Sequence, residues 1–237
     1  MKAVPLMKKL PPLPWKNAMV FAAHGDDEII GCGGTIARLK AQGSRVTVVV
    51  FTGGETSYTT VARKASILEE RHKEMDACDR VLAIDRRILL GLPTQGVVNT
   101  RETYQTCVRI IREIRPDVIF AHAPDNKHRD HRAVIEIVDE ARWKASEPVL
   151  ADMGKPWYTQ ELFYFENKEL FPWPTHVVDI TPFLKKKLAA MRTQTSQMSV
   201  LGPIVDYLEA HARTRGTLGE CKYAEAFVLS DKLPKIL

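Results

Sequence analysis

Four residues able to hold protons or metals fall within five positions: His24, Asp26, Asp27 and Glu28. A second polar group lies far along the chain, from His122 through Asp125, Asn126, His128 and Asp130 to His131. Zinc takes imidazole nitrogen and carboxylate oxygen, and its catalytic sites combine three protein ligands with a water. His24, Asp27 and His131 would supply that set. His24 and Asp27 share one turn and can converge on a point, with His131 arriving from the second loop. Asp26 is then left beside the metal, able to take a proton from the activated water and pass it to a leaving group. His128 can donate to an oxyanion, and Asp130 can orient a ring of the histidine set. The summed chemistry is metal-assisted hydrolysis of a carbonyl compound, most naturally an amide.

Taken singly, each group has a plainer reading. His24 would serve as a satisfied turn histidine, and residues 26–28 as an acidic helix start that matches the dipole. His128 and His131 would be an exposed loop pair. Two such groups, each placed at the end of an expected strand, favour a site over both plain readings.

The flanking segments set that placement. Ala18–Ala23 is an apolar run that reads as a short buried strand, and it ends at the first group. The Gly31-Cys32-Gly33-Gly34 turn is out of phase with a dinucleotide fingerprint and reads as a tight approach of backbone to the site. Cys32 is expected to pack rather than to attack. A helix follows from about Gly33 to Ala41. Val46–Phe51, Arg87–Leu90 and Val118–Ala121 read as further strands. Residues 63–82, Thr103–Ile114 and Ala133–Lys144 read as helices. Strand and helix thus alternate through the first 145 residues, the pattern of a parallel sheet whose carboxyl edge carries the site. Neighbouring strand ends lie about 5 Å apart, so the two groups can meet. Beyond Glu161 the rhythm changes, with strands at Leu162–Phe165 and His176–Val178, helices at Phe183–Thr193 and Leu201–Arg213, and an extended stretch at Lys222–Leu229. The expected fold class is α/β: Rossmann-like, mostly parallel, with helices on both faces. One domain, 18–237, follows an extended proline-rich segment, 1–17.

Composition narrows the alternatives. A net charge of +5 permits an anionic ligand, but the densest basic run, Lys185-Lys186-Lys187, reads as a solvated helix face, and no nucleic acid partner is expected. The four cysteines form no CxxC pair, which argues against a thiolate zinc knot or a disulfide framework and fits a reducing compartment. No apolar run approaches a membrane span, and the first residues lack a signal-peptide core. A cytoplasmic protein without a membrane partner is the expectation.

His24-Gly25-Asp26-Asp27-Glu28 with Gly31-x-Gly33-Gly34-Thr35 is similar to an AHPDDE-x-x-G-x-GGT motif, and His128-Arg129-Asp130-His131 to an HPDH motif. In these the sequence resembles the LmbE-like, or PIG-L, family of zinc-dependent N-acetylglucosaminyl deacetylases. Weaker likenesses continue in Thr52–Glu55, Arg71-x-x-Glu74, Gly91-Leu92-Pro93, Ser196-Gln197 and Tyr223–Phe227, over about residues 18 to 230. The carboxyl-terminal part is most similar to members acting on N-acetylglucosaminyl malate in bacillithiol synthesis. The resemblance implies His24, Asp27 and His131 as ligands of zinc, with ferrous iron as the alternative metal. It implies Asp26 as general base and acid, and His128 as the group that stabilises the tetrahedral intermediate. Arg71 falls at a substrate-contacting arginine of the family, against the plainer reading of a helix arginine paired to Glu74 or Glu70. The substrate implied is an N-acetylated amino sugar conjugate, and relatives often form homo-oligomers. A metal-dependent sugar-binding or regulatory protein without turnover is the alternative reading.

The departures from the pattern cluster near the site. Gly25 replaces a proline and would loosen the turn, and Arg129 replaces another and adds a charge. Thr94 stands at an aspartate that would grip sugar hydroxyls. Asn126 stands at a tyrosine that would assist the oxyanion.

Overall fold

A computed structural model describes residues 10–233, so residues 1–9 of the expected extended segment lie outside it. Residues 10–16 are irregular. They are tied to the body where the Trp15 indole N–H donates to Glu161 at 2.6 Å and the Leu13 amide donates to Gln42 at 3.0 Å.

Seven strands form one sheet: β1 (Asn17–Ala22), β2 (Arg45–Thr52), β3 (Arg86–Leu92), β4 (Val118–His122), β5 (Glu161–Phe165), β6 (His176–Asp179) and β7 (Ala224–Leu229). Their order is β3-β2-β1-β4-β5-β7-β6. The first five run parallel, and β7 lies antiparallel to both β5 and β6. The mostly parallel, Rossmann-like α/β sheet is therefore the one the alternation of elements calls for. Its order reverses between β1 and β4, and such a reversal opens a crevice at the carboxyl ends of the strands. Both polar groups lie at that crevice.

Among the described residues the α-helices are α1 (Asp27–Ala41), α2 (Ile67–Leu82), α3 (Arg101–Ile114), α4 (Arg129–Ser146), α5 (Leu184–Arg192), the single turn α6 (Met198–Leu201) and α7 (Ile204–Gly216). Side chains of β1 alternate between the faces of the sheet, as the two-residue period of a strand requires. Ala18, Val20 and Ala22 join the core under α1, α2, α5 and α7, while Met19 and Phe21 join the core under α3 and α4. Among the described residues no helix is long and apolar enough to cross a membrane.

Two helices begin a full turn or more earlier than the hydrophobic pattern indicates, and both early turns carry site residues. α4 starts at Arg129 because His128 caps it, its Nδ1 accepting the Asp130 N–H at 3.2 Å. α1 starts at Asp27 but breaks at Cys32, whose φ of −146° is not helical. The break frees the amides of Gly34 and Thr35. Glu225 of β7 takes both, at 2.8 and 2.7 Å, acting as a remote cap. Lys187 of α5 bonds the Ile30 carbonyl before the break at 2.8 Å and Glu225 after it at 2.6 Å. The glycines therefore serve close packing of a kinked helix rather than a tight turn. A Cβ on Gly31 would fall 2.2 Å from the Phe165 ring.

Candidate metal centre

β1 delivers His24, and the loop after β4 leads to His131 in the first turn of α4, so the two groups meet across the reversal of strand order. His24 Nδ1 lies 3.2 Å from Asp27 Oδ2 and 3.3 Å from His131 Nε2. His131 Nε2 lies 3.3 Å from Asp27 Oδ1. Four donors at 2.0–2.1 Å from zinc, arranged as a tetrahedron, are separated by about 3.3 Å along each edge. His24 Nδ1 and His131 Nε2 thus stand one such edge apart, each with a different Asp27 oxygen at the same spacing, and the residues present fit a divalent ion.

The outer nitrogen of each imidazole is held. His24 Nε2 faces Asp130 Oδ2 at 3.2 Å, and Asp130 is itself fixed by the Gln95 N–H at 2.7 Å. His131 Nδ1 faces Asn126 Oδ1 at 3.1 Å. An acceptor behind the ring keeps the proton on that side and turns the other nitrogen's lone pair into the site. Asp27 takes the His24 amide on Oδ2 at 2.8 Å and the Asn167 amide group on Oδ1 at 2.8 Å.

The field of the centre favours positive charge. Burial opposes a charge on His24, yet Asp130 and Asp27 outweigh it and push its pKa up to about 10. Burial likewise opposes ionisation of Asp27, but His131 and His122 hold its carboxyl well below the usual range. His128 is held below the usual histidine value by burial and by the neighbouring His24 and His131.

The remaining expected site residues divide into two groups. Asp26 and His128 adjoin the donor atoms, with the His128 ring centre 4.7 Å from that of His24 and 4.6 Å from that of His131. Asp26 Oδ2 pairs with Arg71 at 3.3 Å. Arg71 is buried and also binds Glu74 at 3.3 Å and Gln194 at 3.0 Å, so the pairing with Glu74 and a place at the site both occur. Thr94 and Asn126 are engaged by the protein instead. Both the amide and the hydroxyl of Thr94 donate to Glu55 at 2.7 Å. Asn126 is buried and bonds His131, the His128 amide at 2.9 Å and Glu169 at 3.2 Å. Gly25 does not loosen its turn: Met75 fills the space, and a Cβ there would fall 2.5 Å from its Sδ. Cys32 is buried, and burial pushes its thiol well above the reactive range, which leaves it a packing residue.

Two further residues contribute, His122 from the second polar group and Asn167, which no sequence signal singles out. His122 is fully buried, stacks on His131 with ring centres 3.9 Å apart and approaches Asp27 Oδ2 at 3.3 Å, but its Nε2 also accepts the Ala23 N–H at 3.1 Å. That bond engages its Nε2 with the backbone, so His122 backs Asp27 and His131, with which it also forms one of the described groups able to hold a metal, the other being His24, His128 and His131. Asn167 sits beyond β5 in a stretch without histidine or aspartate. Only proximity in the folded chain reveals it.

A family profile described as GlcNAc-PI de-N-acetylase (PIG-L) matches residues 19–142, the span from β1 into α4 that holds all of these donors. The chain belongs to the PIG-L family. Among PIG-L relatives it is 25% identical to 1D-myo-inositol 2-acetamido-2-deoxy-alpha-D-glucopyranoside deacetylase of Streptomyces avermitilis, over 81% of this chain and 86% of that protein. The conserved protein TT1542 from Thermus thermophilus superposes with a TM-score of 0.82 at 32% identity, covering 93% of this chain and 96% of that one. N,N'-diacetylchitobiose deacetylase from Pyrococcus horikoshii superposes with a TM-score of 0.83 at 25% identity, covering 92% and 85%.

Proposed function

We propose that this protein is a metal-dependent hydrolase that removes the N-acetyl group from an N-acetylglucosamine-type conjugate. The observation that carries the reading is the convergence of His24, Asp27 and His131 at 3.2–3.3 Å with Asp26 left outside the donor set. Two imidazoles and a carboxylate suit zinc and also ferrous iron. A divalent ion held there would acidify a water and polarise the acetyl carbonyl.

Asp26 is the proton carrier in this scheme. It takes the proton as the water oxygen bonds to the acyl carbon, and returns it to the amine nitrogen as the carbon–nitrogen bond breaks, leaving acetate and a free amino sugar. His128 Nδ1 accepts the Asp130 N–H at 3.2 Å, so in the neutral ring the proton sits on Nε2. That N–H can donate to the oxygen on which negative charge builds, without the ring being charged. Asp130 orients His24. Arg71 holds Asp26, a supporting role in place of direct contact with sugar. Asn126 holds His131, and Thr94 braces the rim loop through Glu55.

The relatives named above act on a GlcNAc–inositol conjugate and on diacetylchitobiose, and we infer a substrate of that class, with the GlcNAc–malate conjugate as a further candidate. The unpaired cysteines suit a reaction in the cytoplasm. The test is acetate release by the purified, zinc-loaded chain from these three substrates, with bound metal counted by elemental analysis. About one metal per chain and turnover of at least one substrate is the expected result. Metal and sugar binding without acetate would instead favour the non-catalytic alternative.

A further inference from the structure

β5 supplies none of the donor atoms, yet the segment that follows it reaches two of the three. Asn167 Nδ2 donates to Asp27 Oδ1 at 2.8 Å. Two residues on, Glu169 accepts from Asn126 Nδ2 at 3.2 Å, and Asn126 in turn holds His131 Nδ1 at 3.1 Å. One short stretch therefore bears on a ligand from the β1 loop and, through Asn126, on a ligand from the β4 loop.

That stretch is firmly anchored. Glu166 is buried and pairs with Arg215, with His211 at 2.7 Å and with the Phe171 amide at 2.6 Å. Tyr207 donates its hydroxyl to the Asn167 carbonyl at 3.0 Å. α7 thus fixes the backbone from which Asn167 reaches the centre.

The chemistry of the contact matters as much as its place. A carboxylate turns freely about its last torsion unless both oxygens are held. The His24 amide holds Asp27 Oδ2, and Asn167 holds Oδ1 opposite His131. Asn167 is a neutral donor. It fixes the carboxylate without cancelling the charge a cation needs, as a lysine or arginine at the same place would.

We propose that Asn167 and Glu169 are positioning residues that set the metal affinity of the centre, Asn167 through Asp27 and Glu169 through Asn126 and His131. The proposal rests on the preceding reading of His24, Asp27 and His131 as a divalent-metal site. Loss of such an outer partner typically weakens metal binding by about 10–100-fold.

The experiment measures zinc affinity by competition with a chromophoric chelator, alongside the melting temperature of each metal-free protein. Asn167→Ala should bind zinc about 10–100-fold more weakly while remaining folded. Glu169→Ala should lose less, because it acts through one more hydrogen bond. Glu169→Gln should restore binding, since a carboxamide oxygen accepts the same bond from Asn126. A purely structural role would lower melting temperatures and leave zinc affinity in place. Wild-type affinity in both folded alanine variants overturns the proposal. Should Asn167→Ala not fold, Glu169→Ala against Glu169→Gln decides alone, and equal affinities overturn it. If the wild-type chain itself binds no zinc, the reading beneath the proposal falls instead.

Discussion

Two buried polar networks hang on the same helix and are built on opposite rules. In the Glu225 network every group is satisfied. The carboxylate accepts from the Gly34 and Thr35 amides, from the Thr35 hydroxyl at 2.6 Å and from Lys187 at 2.6 Å, while Lys187 also caps Ile30. In the candidate metal centre the side chains of His24, Asp27 and His131 converge with donor atoms 3.2–3.3 Å apart, each pinned from behind so that it cannot turn away. Saturation is what a buried network needs for stability. Convergence of like donors costs stability unless a cation binds, so it marks a place where folding is traded for chemistry. The kink at Cys32 lets α1 serve both: Asp27 opens its first piece, and Glu225 caps its second.

The comparison breaks most visibly if the centre does not need its ion. Chelation of the purified protein should abolish acetate release and added zinc should restore it, and His131→Ala should fail to hold stoichiometric metal. Full turnover by the chelated chain would remove the contrast. The next largest effect belongs to Asp26→Ala. It should cut kcat by about 10²–10⁴-fold, the range of a general acid–base group, with metal content unchanged. A drop in metal content that accounts for the lost rate would make Asp26 a ligand and redraw the donor set. On the other side of the comparison, Glu225→Ala strands the Lys187 ammonium in the core. Removing one partner of a buried ion pair costs about 3–5 kcal/mol, so urea unfolding should show a large loss of stability. Zinc affinity of the folded fraction should change far less than stability. A variant that unfolds at the wild-type urea concentration would show that the network is not structural.

The two networks also differ in how legible they are in the sequence. The sheet and its carboxyl edge follow from β-branched runs and alternating elements, and the candidate donors His24, Asp27 and His131, which the fold brings together, can be picked out by residue type and spacing. Asp130, which faces His24, can be picked out too, because it lies within the same motif as the ring set. The supports are harder. Asn167 and Glu225 lie on a loop and a β-strand distant in sequence from the atoms they touch, and neither an asparagine nor a strand glutamate carries chemistry that marks it out. Thr94 and Asn126 illustrate the converse. Polar side chains beside an expected site look free in one dimension, yet each has a partner brought by the fold: Glu55 for Thr94, His131 and Glu169 for Asn126. The helix starts at Asp27 and Arg129 are missed for a related reason. In α1 the glycines and the break at Cys32 separate Ile29 and Ile30 from the periodic stretch that follows, and in α4 the first turn is polar and its cap, His128, is a side chain that pattern alone reads as loop.

The smallest expected effect separates the anchor behind Asn167 from the centre it supports. Burial opposes ionisation of Glu166, but hydrogen bonds from His211 and Arg215 overcome it and hold the carboxyl below its ordinary value of 4.5. A depressed native value means the folded chain binds fewer protons than the unfolded one as acid is added. The stabilisation is therefore complete above the ordinary carboxylate value and is lost as pH falls through the depressed one. Glu166→Gln removes this contribution. Melting temperature followed from about pH 7 to about pH 3 should start lower in the variant and fall less steeply at the acid end, where wild type and variant converge. Asp130, Glu55 and Asp85, all likewise held low, lend the same acid slope to both proteins and cancel in the difference. Parallel curves would mean that Glu166 is held by geometry alone and that its charge does not anchor the β5 segment.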